Sequence, residues 1–197
     1  MGSVFSCKKR ASSDSKESKK KSANKMAVVE SVITNKQKSI NEAIMQPLLV
    51  SIVASKAHDT WREEWRLNNG DIPRVKKTKD LEWVQMHNGL TEVDIASTLY
   101  ADLPEDWKRE NKSSALVAVD MVLAAVREDR LLNTEFLEFT SSIIHDEWLK
   151  RNGSWCDEYL KLPYLKLKPE DQDKDRIFVI NSIDAFRNYS AKLDLGL

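Results

Sequence analysis

The chain has 197 residues, and 31 lysines and arginines balance 31 aspartates and glutamates, so its formal net charge is zero. Residues 1–25 hold eight bases and two acids, which leaves 23 bases against 29 acids in the remainder and argues against a general nucleic-acid binder. Only two cysteines occur and no apolar run reaches the roughly 18 residues of a spanning helix, so we expect a reducing compartment, no disulfide scaffold, and membrane contact only through the N-terminal segment.

The first seven residues match the acceptor pattern for N-myristoylation. Removal of Met1 would leave Gly2 as the acylated amine, and Ser6 stands where the pattern requires Ser or Thr. Cys7 is close enough to Gly2 for a second, thioester-linked acyl chain. A single myristoyl chain binds membranes only marginally, so a stable anchor needs a second chain or a basic patch. The alternative interpretation is an ordinary basic tail or an expression-vector remnant, since Met-Gly-Ser begins many expressed sequences.

Residues 8–25 supply such a basic patch, with a local charge of +6. The bases predicted to contact the membrane are Lys8, Lys9, Arg10, Lys19, Lys20 and Lys21. Each base near an anionic leaflet contributes about 1 kcal/mol of binding. Serines interleave with the lysines, so their phosphorylation would cancel much of the charge. We therefore predict that residues 1–25 form a disordered, lipidated tail that binds anionic lipids. The tail is expected to place the protein on the cytoplasmic face of the plasma membrane.

Few glycines and prolines, five of each, predict an all-α fold with one compact helical domain over residues 26–197. A weak amphipathic helix is predicted over 26–45, and a stronger one opens at Pro47 and ends near Gly70. Its predicted core stripe is Leu49, Val53, Ala57, Trp61 and Trp65, widened by Leu48 and Ile52. Residues 71–80 are predicted as a loop and 91–100 as a short helix. The stretch 155–167 is the one place where an extended segment is expected.

Three further helices complete the prediction. The first has Asp102 as its N-cap and Pro104 in its first turn, the second is capped by Thr134 and ends at Gly153, and the third begins at Pro169. Their predicted core residues are Leu116, Val119, Leu123 and Val126, then Phe136, Phe139, Ile143 and Trp148, then Ile177, Ile180, Ile183 and Phe186.

A His-Asp-x-Trp sequence occurs twice, at 58–61 and at 145–148, and each copy precedes a Pro-Glu-Asp sequence that opens a helix, at Pro104 and at Pro169. The distance from histidine to proline is 46 residues in the first copy and 24 in the second, so the first carries a 22-residue insertion. This order predicts two related helix-loop-helix units. The units cover approximately residues 47–130 and 134–191 and are called repeat 1 and repeat 2 below.

The pattern resembles the ryanodine-receptor repeat domain: a helix ending in His-[Asp/Glu]-x-[Trp/Tyr], a basic Gly-containing loop, then a helix opening with Leu-x-Pro-Glu-[Asp/Glu]. The matching residues are His145, Trp148, Arg151, Gly153, Trp155 and 167–176 in repeat 2, and His58, Trp61, Gly70, Leu103, Pro104, Glu105, Lys108 and Asn111 in repeat 1. The insertion in repeat 1 and the acylated tail depart from the family. The resemblance implies a small helical module used for binding rather than catalysis.

Histidines and tryptophans are the candidates for ligand contact. They are His58, Trp61, Trp107, His145, Trp148 and Trp155. A helical imidazole beside a tryptophan can donate to a phosphate or carboxylate, but a lone helical histidine is more often a packing residue that bonds a backbone carbonyl. Helical spacing also assigns Trp61, Trp65 and Trp148 to apolar faces, which favours Trp83, Trp107 and Trp155 as the residues of an aromatic pocket.

The basic loop at 74–79 could bind phosphate or an acidic leaflet, or could simply be solvated. Three histidines and two distant cysteines have no metal-ligand spacing, and no catalytic motif or cofactor motif is present, so we expect no metal, no cofactor and no enzymatic activity. The sequence therefore predicts an acylated peripheral membrane protein whose helical body binds a protein partner or a small anionic ligand. The alternatives are a matrix-like structural protein that self-assembles beneath a membrane and, less favoured, a membrane-targeted enzyme.

Overall fold

The computed structural model describes residues 44–194, except the side chains of residues 192–194. The chain divides into two units, Met1–Met45 and Gln46–Leu197. The described part of the second unit is helical apart from one two-stranded sheet, which confirms the predicted all-α class. The predicted tail and most of the predicted helix over 26–45 lie outside the described residues. The same is true of the predicted lipidation and membrane-binding residues: Gly2, Cys7, Lys8, Lys9, Arg10, Lys19, Lys20 and Lys21.

Five helices and two short strands follow one another along the described chain. They are α1 (44–69), β1 (Val75–Lys77), α2 (Leu81–Met86), β2 (Glu92–Asp94), α3 (Glu105–Arg127), α4 (Thr134–Asn152) and α5 (Pro169–Asp194), with 3-10 turns at Tyr100–Asp102, Glu158–Lys161 and Tyr164–Lys166. Among the last three helices, each packs against the other two.

Helix α1 buries a narrower stripe than the sequence predicted. Leu49, Val53 and Ala57 are buried, whereas Leu48 and Ile52 are exposed. The two tryptophans of the predicted stripe are only half-buried. The chain is already helical at residue 44, so the prediction that Pro47 opens the helix is wrong. The end of α1 before Gly70 is as predicted, and a φ of +63° explains why glycine is suited to that turn.

The segment between α1 and α3 differs most from the prediction. The predicted loop 71–80 contains β1, the predicted helix 91–100 contains β2, and the two strands pair antiparallel with Lys76 opposite Val93. Strands of three residues are too short for alternating hydrophobicity to be visible in the sequence. Between them, Asp80 caps α2 by accepting from the backbone N of Trp83.

Buried Arg62 fixes the end of this hairpin against α1. Its Nε donates to the carbonyl of Ala96 at 3.1 Å, and its Nη2 donates to the carbonyl of Ser97 at 2.9 Å. A salt bridge of 3.4 Å to Asp59 completes its environment. The guanidinium is thus held by acceptors along its edge, the arrangement in which a buried arginine is tolerated.

Several predicted boundaries are corrected by one or two residues. Helix α3 begins at Glu105 after Pro104, and Asp102 lies in the preceding 3-10 turn instead of capping the helix. Asn133, not Thr134, caps α4 by accepting from the backbone N of Phe136 at 3.0 Å. The predicted end of α4 and start of α5 are confirmed. The stretch 155–167 is not extended, because it forms two 3-10 turns.

The main core lies where α3, α4 and α5 meet, and it uses smaller side chains than the sequence predicted. Its residues are Ala118, Val122, Ala125, Phe136, Ile144, Val179 and Ile183. Of the predicted core residues, Leu116, Val126, Phe139 and Ile180 are exposed. Alanines on α3 allow close helix approach, so they occupy the contact while the larger side chains point away from it.

A second core lies under the hairpin. It contains Trp83, Val93, Ile95 and Leu103, with Trp61, Tyr100 and Trp107 packed at its edge. No helix within residues 44–194 is both long enough and apolar enough to cross a bilayer.

Candidate functional site

A cavity of about 300 Å³ opens between repeat 1 and repeat 2. Five of the six predicted ligand residues line it: His58, Trp61, Trp107, His145 and Trp148. The sixth, Trp155, is not among the lining residues: it is 60% exposed, and its ring meets Trp148 edge-on with centroids 6.4 Å apart. Ligand contact by Trp155 stays a prediction.

The two histidines make the same contacts in the two repeats. His58 Nε2 lies 3.0 Å from the carbonyl of Thr98, and His145 Nε2 lies 3.0 Å from the carbonyl of Leu162. A carbonyl can only accept, so Nε2 carries a proton in both rings. Both side chains are buried, which agrees with the packing role that the sequence offered as the alternative to ligand contact. Both also line the cavity, and their contact with a ligand stays a prediction.

The aromatic neighbours of the histidines match as well. Ring centroids are 5.9 Å apart for His58 and Trp61, 6.2 Å for His58 and Tyr100, 6.3 Å for His145 and Trp148, and 6.4 Å for His145 and Tyr164. Such distances are typical of packed aromatic pairs. Matched contacts on both sides are what two copies of one unit would produce.

The opening of the following helix is also matched, but not in the predicted register. Leu103 and Leu167 are both buried, each donates its backbone N–H to the carbonyl of a tyrosine three residues earlier, and each stands two residues before a helix begins. Leu103 therefore corresponds to Leu167, and Pro104 does not correspond to Pro169. Equivalent positions are 64 residues apart after this point and 87 apart at the histidines, so the insertion in repeat 1 is 23 residues and contains the hairpin.

This register pairs the cavity residues of α3 with those of α5. The pairs are Trp107 with Asp171, Glu110 with Lys174, Asn111 with Asp175 and Ser114 with Phe178. Trp107 was predicted for ligand contact, and Asn111 and residues 171–175 belong to the stretches matched to the repeat domain. Glu110, Ser114 and Phe178 were not singled out, and the 64-residue spacing with its helical period is the signal that could have found them. The side-chain chemistry differs at every pair, so the two ends of the cavity are unlike although the backbone contacts are alike.

The largest difference concerns the groups beside the histidines. His145 Nδ1 lies 3.5 Å from Asp175 Oδ2, and the pKa of His145 is raised mainly by this carboxylate. Burial raises the pKa of Asp175 itself. Repeat 1 has Asn111 in the corresponding place, and burial there lowers the pKa of His58. Burial therefore favours the neutral form of His58, whereas the neighbouring carboxylate favours the protonated form of His145.

The charged groups of the wall have partners. Lys174 Nζ lies 2.6 Å from Asp171 Oδ1. Glu110 Oε2 accepts from Asn152 Nδ2 at 3.1 Å and forms a salt bridge with Arg151 at 3.4 Å. The wall therefore presents mainly indole and aliphatic surface between internally neutralised polar groups.

The division of the tryptophans between core and cavity differs from the prediction. Trp61 and Trp148, which helical spacing assigned to the core, line the cavity and are half-buried. Trp83, which was favoured for a pocket, is buried, and its Nε1 donates to the carbonyl of Asp102 at 3.1 Å. Trp107 lines the cavity as predicted, with its Nε1 donating to the carbonyl of Lys77 at 3.1 Å.

The basic loop 74–79 is built into the hairpin and does not line the cavity. Arg74 stacks over Trp65 at 5.2 Å, and burial is the main cause that lowers the pKa of Lys76. Anion binding by this loop stays a prediction.

Within residues 44–194, no three His, Cys, Asp or Glu side chains lie close enough together to hold a metal ion. No family model matches the chain, and no curated protein or solved structure matches it either. The resemblance to the ryanodine-receptor repeat domain therefore stays a prediction that rests on the residues quoted above.

Proposed function

We propose that this protein is a non-enzymatic binding module that holds a small ligand between its two repeats and is carried to the cytoplasmic leaflet of a membrane by an acylated N-terminus. One observation carries the proposal. A single cavity is lined by both histidines and both tryptophans of the duplicated His-Asp-x-Trp sequence, and also by Trp107. Concave sites with much apolar surface and a few polar groups are the usual form of ligand sites.

Three indole rings on one wall favour a ligand with a planar apolar part. The wall favours a neutral ligand over the anionic one expected from the sequence. Its lysine, Lys174, is already paired with Asp171, so it has less attraction to offer an anion. A side chain of a protein partner with the same chemistry could enter the same cavity.

The contacts of His145 also favour a binding role over catalysis. The Nε2 atom of each ring is used by a backbone carbonyl, and Nδ1 of His145 is used by Asp175. His145 therefore has no nitrogen left to take a proton from a substrate.

The ligand site can be tested with 3-methylindole as a planar probe and the full chain labelled with 5-fluorotryptophan. We expect the ¹⁹F resonances of Trp61, Trp107 and Trp148 to shift together on titration. Trp148→Ala should weaken binding by about tenfold or more, since stacking on one indole is lost. Trp155→Ala is the matched control and should leave the affinity within about twofold, because Trp155 is not part of the wall. Unshifted resonances, or equal loss in both variants, would contradict the proposed site.

Membrane attachment needs a separate test, since it concerns residues outside the described part of the chain. The full chain with a C-terminal fluorescent tag should partition to membranes in a eukaryotic cell, with acyl groups detected by intact mass. Gly2→Ala should abolish partition, Cys7→Ser should weaken it, and Ser3→Ala should leave it unchanged. Equal solubility of all four proteins without acylation would remove this part of the proposal.

A further inference from the structure

The two ends of the cavity differ in their free hydrogen-bonding atoms. At the repeat 1 end, His58 Nε2 carries its proton toward Thr98 at 3.0 Å, and the ring is neutral because of its burial. Nδ1 is then an acceptor with a free lone pair. No described residue donates to it. His58 has only 4% of its surface exposed, and it lines the cavity.

Asn111 contributes a second acceptor on the same wall. Its Nδ2 donates to the carbonyl of Trp107 at 3.0 Å, which assigns the other amide atom as Oδ1. Among the described residues no donor is bonded to this oxygen. Both acceptors belong to repeat 1 and both residues line the cavity.

The histidine of repeat 2 has no free nitrogen. His145 directs Nε2 to the carbonyl of Leu162 and Nδ1 to Asp175. The indole N–H groups do not distinguish the repeats, because Trp61 and Trp148 each lack a described acceptor and one comes from each repeat. The free acceptors therefore differ in kind: repeat 1 offers the uncharged Nδ1 of His58 and Oδ1 of Asn111, and repeat 2 offers oxygens of the Asp171 and Asp175 carboxylates.

We propose that the ligand presents a hydrogen-bond donor, an N–H or O–H group, to Nδ1 of His58 and Oδ1 of Asn111. This inference rests on the proposed function of the cavity. It makes His58 and Asn111 the residues that select for a donor. A ligand that covers these acceptors without supplying a donor incurs the cost of an unpaired buried acceptor, so it is discriminated against.

Two isomeric probes test this inference: 3-methylindole, which has a ring N–H, and 1-methylindole, which has none. Their size and apolar surface are nearly the same, so the donor is the difference between them. Binding is measured from the ¹⁹F shifts of the 5-fluorotryptophan protein. We expect wild-type protein to favour 3-methylindole by about tenfold, which is one hydrogen bond to a buried acceptor.

Two substitutions at position 58 separate the acceptor from the fold. His58→Phe keeps a ring but removes the acceptor, and it should bring the two affinities to within about twofold. His58→Gln can still donate to Thr98 and accept through Oε1, so it should retain a preference for 3-methylindole. Asn111→Leu should reduce the preference without removing Nδ1, and it provides a second variant if His58→Phe does not fold.

The outcomes separate the two proposals. Equal binding of both probes to the wild-type cavity would overturn the donor inference while leaving the binding site intact. A preference unchanged in both His58→Phe and Asn111→Leu would also overturn it. Absence of any shift with either probe would overturn the proposed site, and the donor inference with it.

Discussion

His145 Nδ1 lies 3.5 Å from Oδ2 of Asp175, thirty residues later in the chain. The equivalent residue to Asp175 in repeat 1 is Asn111, so one histidine of the duplicated pair has a carboxylate partner and the other does not. The pKa values of the two rings shift in opposite directions: burial lowers that of His58, and the Asp175 carboxylate raises that of His145.

Exchange of these two residues should exchange the behaviour of the rings. Asp175→Asn should lower the pKa of His145, because the anionic acceptor that favours the imidazolium is removed. Asn111→Asp should raise the pKa of His58 for the opposite reason. Imidazole resonances followed by NMR against pH measure both values. An unchanged pKa of His145 in Asp175→Asn would show that Asp175 does not set it.

Glu138 should make folding stability sensitive to acid. Its pKa is lowered mainly by the hydrogen bond from Arg176, at 2.8 Å from Nε to Oε1. A carboxylate with a depressed folded-state pKa stabilises the fold above its unfolded pKa, and this stability is lost as pH falls through the folded pKa. Glu138→Gln should thus cost about 1–2 kcal/mol at pH 7 and much less at pH 3. Urea unfolding at both pH values measures the difference.

The control for that series is Glu135→Gln, an exposed residue of the same helix, whose effect should be within a few tenths of a kcal/mol. The same Glu138→Gln change should lower the pKa of Tyr164, which is raised to about 12 by burial and by the hydrogen bond to Glu138. An absorbance titration follows the tyrosine, and an unmoved titration would argue against this contact.

Arg62→Met should loosen the hairpin of repeat 1. The substitution keeps an apolar stem but removes the donors to the carbonyls of Ala96 and Ser97. We expect a loss of about 2–3 kcal/mol in the free energy of unfolding, since buried acceptors are left unpaired. Arg66→Met, on the exposed face of α1, should change stability by less than about 0.5 kcal/mol. Faster amide exchange over residues 93–98 in Arg62→Met alone would locate the effect.

Asn133→Ala should cost about 1 kcal/mol, because the first turn of α4 loses the side chain that accepts from Phe136 N. Thr134→Ala should lower the free energy of unfolding by only a few tenths of a kcal/mol, although the sequence favoured Thr134 as the cap. Thermal unfolding of the two variants compares them directly. A larger loss of stability in Thr134→Ala than in Asn133→Ala would show that the cap is Thr134.

A buried residue of α4, Ile144, provides a further test of which helix faces form the core. Ile144 is fully buried, so Ile144→Ala should destabilise the protein by about 2–5 kcal/mol through lost contacts and a cavity. Ile180, which the sequence assigned to the core, is 42% exposed, and Ile180→Ala should cost well under half as much. Chemical denaturation of both variants measures the ratio, and equal losses would contradict the helix faces described above.

The sequence by itself determined the all-α class, the end of α4, the start of α5 and the duplicated His-Asp-x-Trp sequence, whose two histidines and two tryptophans line the cavity. These features depend on neighbours within one or two helical turns, so they are visible in a local pattern. The tertiary structure alone decided the hairpin, the buried faces of α3 and α4, and the pairing of His145 with Asp175. Those depend on which side chains meet across helices, and small residues such as Ala118 and Ala125 occupy the contacts because close packing rewards fit as well as hydrophobicity.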